Sequence, residues 1–179
     1  MRFLSIDSSL CNTGIACGVI TPDGDILIDF IDLCETEKAP KKMRIRASSD
    51  TVERCKKTYN FLKKHIDEYK PHVIFIETPS GSQNASGMKS YGATCQLIAT
   101  LNPDPIQVTP EETKVGSVGD KKASKETIIN WAYKRYPELQ WFRHAGKLQA
   151  KNEHMADAIA IAYAGMHLPD FVRLRQMIP

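Results

Sequence analysis

Acidic side chains stand at the ends of two short apolar segments of the sequence. Asp7 follows the run FLSI, and Glu77 follows the run VIFI. Such runs are typical of buried strands, and functional sites in α/β sheets lie at the carboxyl ends of strands. Two carboxylates brought together there repel each other, and a bound cation removes that repulsion. Because oxygen ligands select hard ions, the pattern predicts a Mg²⁺ site in which Mn²⁺ can substitute.

A third acidic position lies near the end of the chain, in the segment EHMAD. His154 and Asp157 are three residues apart and would share one face in the first turns of a helix. Each residue alone has a simpler explanation: Asp157 would interact favourably with the helix dipole, and a lone histidine is commonly a surface residue. Together, Asp7, Glu77, His154 and Asp157 form the candidate catalytic and metal-binding set.

The elements that would position these residues begin with three strands. Segments 2–8, 13–21 and 25–33 are apolar or alternate at period two, and a Pro-Asp-Gly turn signal separates the last two. They predict an antiparallel meander. The remaining segments predict a mixed α/β fold with five strands in one sheet and helices on both faces.

The second half of the predicted fold alternates helices with strands. A helix over 50–69 is indicated by an apolar stripe of spacing 3, 4, 3, 4. Its members are Val52, Cys55, Tyr59, Leu62 and Ile66. Strands at 72–77 and 105–108, helices at 85–101, 124–136 and 152–166, and a loop or short helix at 110–119 follow. We expect Asn152 to cap the last helix and the tail from 168 to be partly loose.

The amino-acid composition limits which classes of protein fit the sequence. The 179 residues suit one domain, 1–179, and 42% hydrophobic with 25% charged residues is typical of a globular protein rather than a disordered one. A net charge of +3 permits a polyanionic partner without requiring one. Five scattered cysteines predict free thiols, and no apolar run approaches a membrane span. We therefore expect a cytoplasmic protein that does not enter a membrane.

Four segments resemble, in order, those of RuvC-type Holliday junction resolvases. They are IDSSLCNTG from Ile6, FIE from Phe75 with the loop and helix that follow, 113–128 with Lys114 and Lys125, and HMADAIAIA from His154. The resemblance implies an RNase H-like fold and an endonuclease that cuts four-way DNA junctions with two Mg²⁺ ions. It also implies products with 5′-phosphate and 3′-hydroxyl ends, and a homodimer whose interface lies on the helix at 85–101. A phage or bacterial source would fit the resemblance, and a viral member would act in the cytoplasm of its host.

The sequence departs from that family at two places. Ser8 and Ser9 stand where the family usually has Pro-Gly, which changes the turn but not the acid. In that family, the loop after the second acid often carries a bulky apolar residue that is associated with unstacking bases at the junction. The corresponding loop here, TPSGSQN after Glu77, has no such residue. Selectivity for four-way junctions is therefore expected on weaker grounds than nuclease chemistry.

Basic and polar residues outside the acidic set are candidates for DNA contact. Lysines and arginines cluster in segments 41–46 and 114–125, and the polar loop after Glu77 suits substrate contact. The predicted DNA-binding residues are Arg44, Arg46, Ser82, Asn84, Lys114, Lys122 and Lys125. Charge clusters are also commonly just solvated faces.

Three other functions remain open at this stage. A different RNase H-like nuclease, acting on flaps, forks or RNA–DNA hybrids, would use the same site chemistry. The segment DSSLCNTG also resembles the phosphate loop of actin-like and sugar-kinase proteins, although these need a second lobe. The third is a non-catalytic DNA-binding module with degenerate acids.

Overall fold

A computed structural model describes residues 1–78, 81 and 83–177 of the chain, without the side chains of Lys41 and Ser86. Its main sheet has five strands in the order β3-β2-β1-β4-β5. They are β1 (Arg2–Ser8), β2 (Asn12–Ile20), β3 (Ile26–Glu35), β4 (Val73–Glu77) and β5 (Ile106–Val108). The meander β1–β3 is antiparallel, whereas β1, β4 and β5 run parallel. The predicted mixed α/β fold is confirmed.

Six α-helices and a small hairpin complete the described chain. The helices are α1 (Ala47–Tyr69), α2 (Ala85–Ile98), α3 (Pro110–Val118), α4 (Lys125–Arg135), α5 (Glu153–Gly165) and α6 (Pro169–Met177). The hairpin pairs β6 (Arg143–His144) with β7 (Lys147–Leu148). A capping box at Thr109 and Glu112 explains why the segment predicted as a loop or short helix is the helix α3.

Strand alternation divides the sheet into two apolar faces. Phe3, Val73 and Phe75 pack with α5 and α6, while Leu4, Ile74 and other even-numbered residues of β1 and β4 pack with α1 and α2. Because side chains of a strand point alternately to the two faces, Asp7 and Glu77 belong with Phe3 and Phe75, on the side of α5.

Helix α5 lies directly on the sheet. Its buried residues are all apolar, and most are alanines. A side chain at Gly165 would clash with the Phe75 ring at 2.2 Å, and one at Gly116 of α3 would lie 2.7 Å from the Ala164 backbone. Small residues therefore let α5 pack closely on both the sheet and α3.

The predicted apolar stripe of the first helix is wrong in most of its members. The buried face of α1 carries Arg54, Thr58, Leu62 and His65, and of the predicted stripe only Leu62 is fully buried. Two of these polar residues have hydrogen-bond partners: Arg54 Nε donates to Thr36 Oγ1 at 3.0 Å, and His65 Nε2 lies 3.1 Å from Asp32 Oδ2. Polar side chains thus take the buried positions that the apolar periodicity predicted for other residues.

Two expectations for the C-terminal region need correction. Asn152 stands at the predicted N-cap position of α5, but its side chain makes no capping hydrogen bond. Its Oδ1 instead accepts from the Phe142 N–H at 2.9 Å and its Nδ2 donates to the Phe142 carbonyl at 2.8 Å, and a 3₁₀ turn (Ala150–Asn152) leads into the helix. The tail is not loose as far as it is described, because α6 buries Phe171 against Phe75.

The described cysteines are free, with Cys17 and Cys34 buried and Cys11 exposed. No helix in the described part of the chain is long and apolar enough to cross a membrane.

Candidate active site

The first two acids of the candidate set lie side by side at one edge of the sheet. Ile6 pairs with Ile76 in parallel register, so Asp7 and Glu77 are the next residues of β1 and β4. Both project to the α5 side by strand alternation. Adjacent parallel strands therefore bring these carboxylates together, as the sequence predicted.

Helix α5 supplies the other two residues by approaching β2 at Gly14. Asp7 pairs with Gly14 across β1 and β2, and a Cβ on Gly14 would lie 2.2 Å from the carbonyl oxygen of His154. Only glycine leaves room for the first turn of α5 at this point. The contact sets His154 beside Asp7, and its Nδ1 lies 2.7 Å from Asp7 Oδ2. The glycine of the motif DSSLCNTG thus has a packing role at the site.

Burial and mutual repulsion raise the pKa values of two of the acids. Burial, followed by the negative charges of Asp7, Glu77 and Glu153, raises the pKa of Asp157 to about 8. The pKa of Glu77 is raised to about 7 by burial and by Asp7, although Thr113 and Lys114 act in the opposite direction. Carboxyl groups with such pKa values are typical of functional sites.

The acidic neighbours of His154 favour its protonated form. Burial lowers the pKa of His154, but the hydrogen bond to Asp7 and the charges of Asp7, Glu153 and Asp157 outweigh burial and raise the pKa above its ordinary value. The imidazolium partly offsets the negative charge of the cluster, because it also lowers the pKa of Asp157.

Two of the predicted DNA-binding lysines lie close to the acids. Lys114 lowers the pKa of Glu77, and Lys125 forms an ion pair with Glu153 and interacts with Asp157 and Asp7. The cluster thus combines acids with a histidine and two lysines. Such a site can hold cations and a phosphate together, because negative and positive groups alternate within it.

The sequence missed Glu153 and Thr113 as members of this site. Glu153 begins α5, its side chain is 19% exposed, and its charge raises the pKa of Asp157. It stands next to His154 in the segment EHMAD, which is the signal that could have identified it. Thr113 is buried on α3 and lowers the pKa of Glu77, an effect that no local sequence pattern indicated.

Within the described part of the chain, Lys122, Arg44 and Arg46 form no ion pair with these acids. Lys122 is exposed between α3 and α4, and Arg44 and Arg46 are exposed just before α1. Asn84 caps α2, where its side chain accepts a hydrogen bond from the Gly87 N–H. Ser82 lies outside the described residues.

The donor chemistry of the cluster suits a divalent cation. Asp7, Glu77 and Asp157 offer carboxylate oxygens, and their repulsion is what a cation would relieve. As the side chains stand, no three Asp, Glu, His or Cys residues in the described ranges are gathered into a ready-made metal site.

No protein-family model matches the chain, and no curated protein matches its sequence. Solved structures do match. RuvC of Thermus thermophilus in complex with a Holliday junction substrate has a TM-score of 0.66 at 15% identity, over 92% of each chain. The yeast mitochondrial Holliday junction resolvase Ydc2 has a TM-score of 0.61 at 15% identity, over 97% of this chain and 84% of Ydc2.

The chain has the fold of the RuvC-type resolvases. The Fowlpox virus resolvase, solved with Holliday junction DNA, matches over 100% of both chains with a TM-score of 0.54 and 13% identity. Identities this low show the fold alone, and a fold does not by itself carry a function.

Proposed function

We propose that the protein is a metal-dependent endonuclease that cuts branched DNA, with four-way junctions as its preferred substrate. The observation that carries the proposal is the cluster of Asp7, Glu77 and Asp157, which lies with His154 at the carboxyl edge of β1 and β4. Nuclease chemistry needs acids that hold divalent cations against a phosphodiester. Three solved structures with this fold, those of Thermus thermophilus RuvC, yeast Ydc2 and the Fowlpox virus resolvase, are of Holliday junction resolvases, which supports the choice of substrate.

Each residue of the cluster has a distinct task in this proposal. Asp7, Glu77 and Asp157 would hold two Mg²⁺ ions, which when bound supply activation of water and charge stabilisation at the scissile phosphate. His154 orients the Asp7 carboxylate through their hydrogen bond and holds a proton at Nδ1. Loss of that proton would free Asp7 to turn towards a cation.

Lys114 and Lys125 would bind the substrate phosphate. Each already lies near the acids, so each can reach a phosphate held between them. Their positive charges would offset the charge that develops on the phosphate oxygens during cleavage. The expected products carry 5′-phosphate and 3′-hydroxyl ends.

A homodimer would supply the two active sites that symmetric cleavage of a four-way junction requires. Helix α2 is the expected interface. Leu97 on this helix lines a surface groove with Val52 and Tyr59 of the neighbouring α1, which are 51% and 41% exposed. Exposed apolar side chains on adjoining helices suit an interface between copies of the chain.

A panel of synthetic substrates tests the proposed function. A four-way junction, a flap, a replication fork and an RNA–DNA hybrid of matched sequence are incubated with the protein in Mg²⁺, in Mn²⁺ and in EDTA. We expect metal-dependent cuts at symmetric positions in the junction, with slower cutting of the other substrates. Preferred cutting of the hybrid or flap would instead assign a different RNase H-like nuclease.

A further inference from the structure

Arg54 is a buried cation whose bonded partners carry no charge. It is 6% exposed. Its guanidinium donates to Thr36 Oγ1 at 3.0 Å, to the Leu10 carbonyl at 3.1 Å and to Cys11 Sγ at 3.0 Å. Among the described residues, no carboxylate bonds it. Burying a charge without a counterion is costly, so the site favours an anion.

The same arginine lines a cavity that holds further positive charge. The cavity has a volume of about 600 Å³ and is also lined by Lys38 and Lys89. Neither lysine forms an ion pair within the described part of the chain. One acid, Asp50, lines the cavity too, and its Oδ1 accepts a hydrogen bond from the Ala39 N–H at 3.0 Å. Three cations face one carboxylate, so the cavity is positively charged overall.

The backbone around the cavity adds to its preference for anions. Ala47 and Ser48 line it at the first turn of α1, a helix of 23 residues. The N–H groups of a first helical turn point outwards and carry partial positive charge. No acidic side chain other than Asp50 occupies the first turn of α1.

We propose that this cavity binds a phosphate of the nucleic-acid backbone, outside the catalytic cluster. The inference rests on the proposed function for its substrate. The Nη1 group of Arg54 makes none of the three bonds above and can donate to a phosphate oxygen, and the two lysines add positive charge. Arg44 and Arg46 are exposed and immediately precede the cavity residue Ala47 in the chain. Several cations in and next to one cavity suit a chain of phosphates.

Arg54 also connects the cavity to the turn that follows Asp7. Its bonds to Leu10 and Cys11 hold the backbone between β1 and β2, three to four residues beyond the Asp7 carboxylate. A phosphate bound at Arg54 would therefore fix one DNA strand relative to the catalytic edge of the sheet. Arg54 acts here as a positioning residue.

Binding measurements test the cavity without relying on cleavage. In an Asp7→Asn background, the Lys38→Ala, Lys89→Ala double variant is compared with a Lys63→Ala, Lys64→Ala control, which also removes two charges from the surface of the protein. We expect the cavity variant to lose about tenfold in affinity at moderate salt, and the slope of log K against log salt to fall by about two. The control should change neither quantity appreciably.

Binding to linear duplex DNA separates this inference from the proposed function. The cavity would contact backbone phosphates, which a duplex and a four-way junction both have. We expect the same loss on a duplex as on a junction. If the cavity variant has unchanged affinity and salt slope while the wild-type protein cleaves normally, the proposed phosphate site is wrong and the proposed function stands. If the wild-type protein does not cleave but its binding to duplex DNA depends on Lys38 and Lys89, the proposed function is wrong and the proposed phosphate site stands.

Arg54 itself is tested by the conservative variant Arg54→Lys, with thermal unfolding as the check on folding. We expect a folded protein that binds DNA more weakly than wild type and cuts with a raised KM and a nearly unchanged kcat. A folded Arg54→Lys protein with wild-type affinity and KM would contradict the role assigned to its guanidinium.

Discussion

Helices α5 and α1 cover opposite faces of the same sheet, and they bury very different residues. The buried side chains of α5 are all apolar, and close contacts at glycines hold the helix against the sheet. Helix α1 buries Arg54, Thr58 and His65 along with Leu62, and it leaves Val52 and Tyr59 exposed. The proposed catalytic cluster lies on the first face, while the second carries the cavity beside Arg54 and several exposed apolar side chains.

The difference indicates that the two faces of the sheet suit different functions. Carboxylates that hold cations must be positioned to within a fraction of an ångström, and a dense apolar layer does this best. A face that contacts DNA or a second copy of the chain gains from exposed charge and apolar surface instead. Substitutions on the two faces should therefore have different effects.

The largest difference is expected between two glycine substitutions. Gly14→Val should destabilise the fold by about 3 kcal/mol or more and reduce cleavage at least ~100-fold, because the new side chain collides with the backbone of α5. Gly92→Ala on α2 meets nothing within 4 Å and should raise stability by up to about 1 kcal/mol. Urea unfolding and junction cleavage assays measure both; equal stability of the two variants would refute the close packing of α5 at Gly14.

The next effect concerns charge within the cluster. Glu77→Gln should slow cleavage by about 100-fold or more, since a metal ligand is lost, yet raise the unfolding temperature in EDTA because repulsion from Asp7 is relieved. Glu68→Gln on the exposed surface of α1 is the charge-matched control and should change neither quantity. A fall in the unfolding temperature of the Glu77 variant would show that its charge stabilises the metal-free fold.

A pH effect should distinguish the cluster from the rest of the molecule. Asp157 and Glu77 have pKa values near 8 and 7 in the folded protein, and the pKa of His154 is also raised. All three groups bind protons more tightly when folded, so stability in EDTA should fall as pH rises from about 4 to 8. Each titrating group contributes up to about 1.4 kcal/mol per pH unit.

Mg²⁺ should oppose that fall, because it binds the deprotonated carboxylates of the folded protein. Thermal unfolding across this pH range, with and without Mg²⁺, measures the effect. Asp157→Asn should flatten the dependence seen in EDTA. Stability that rises with pH in EDTA would contradict the assignment of these buried acids.

The smallest effect on stability is expected on the exposed face of α1 and α2. Val52→Ser with Tyr59→Ser should change the free energy of unfolding by no more than about 0.5 kcal/mol at each site, since both side chains are exposed. The same variant should dissociate the proposed dimer, which sedimentation velocity can measure. An unchanged dissociation constant of the dimer would contradict an interface on this face.

The sequence predicted the central part of the fold, and it predicted that Asp7, Glu77, His154 and Asp157 lie together. β1 has the predicted bounds, and the acids of β1 and β4 are adjacent because parallel strand ends meet at one edge. Asp157 and His154 could be placed because three-residue spacing on a helix sets a shared face. These features depend on local patterns of strand and helix, which the sequence carries directly.

The features that the sequence did not predict depend on tertiary contacts. The buried face of α1 depends on partners such as Asp32 and Thr36, which come from a strand and its end. Asn152 is buried by its bonds to Phe142 rather than used as a cap. Two-residue strands such as β6 and β7 have too few residues to show a period. The missed role of Thr113 has the same cause, since only packing brings α3 to Glu77.

Cleavage of a synthetic four-way junction by wild-type and Asp7→Asn proteins tests the central claim most directly. With Mg²⁺, the wild-type protein should cut at symmetric positions and leave 5′-phosphate ends. Asp7→Asn should cut slower by about 10³-fold or more while still binding the junction. Cutting by Asp7→Asn at the wild-type rate would contradict the assignment of the carboxylate cluster as the active site.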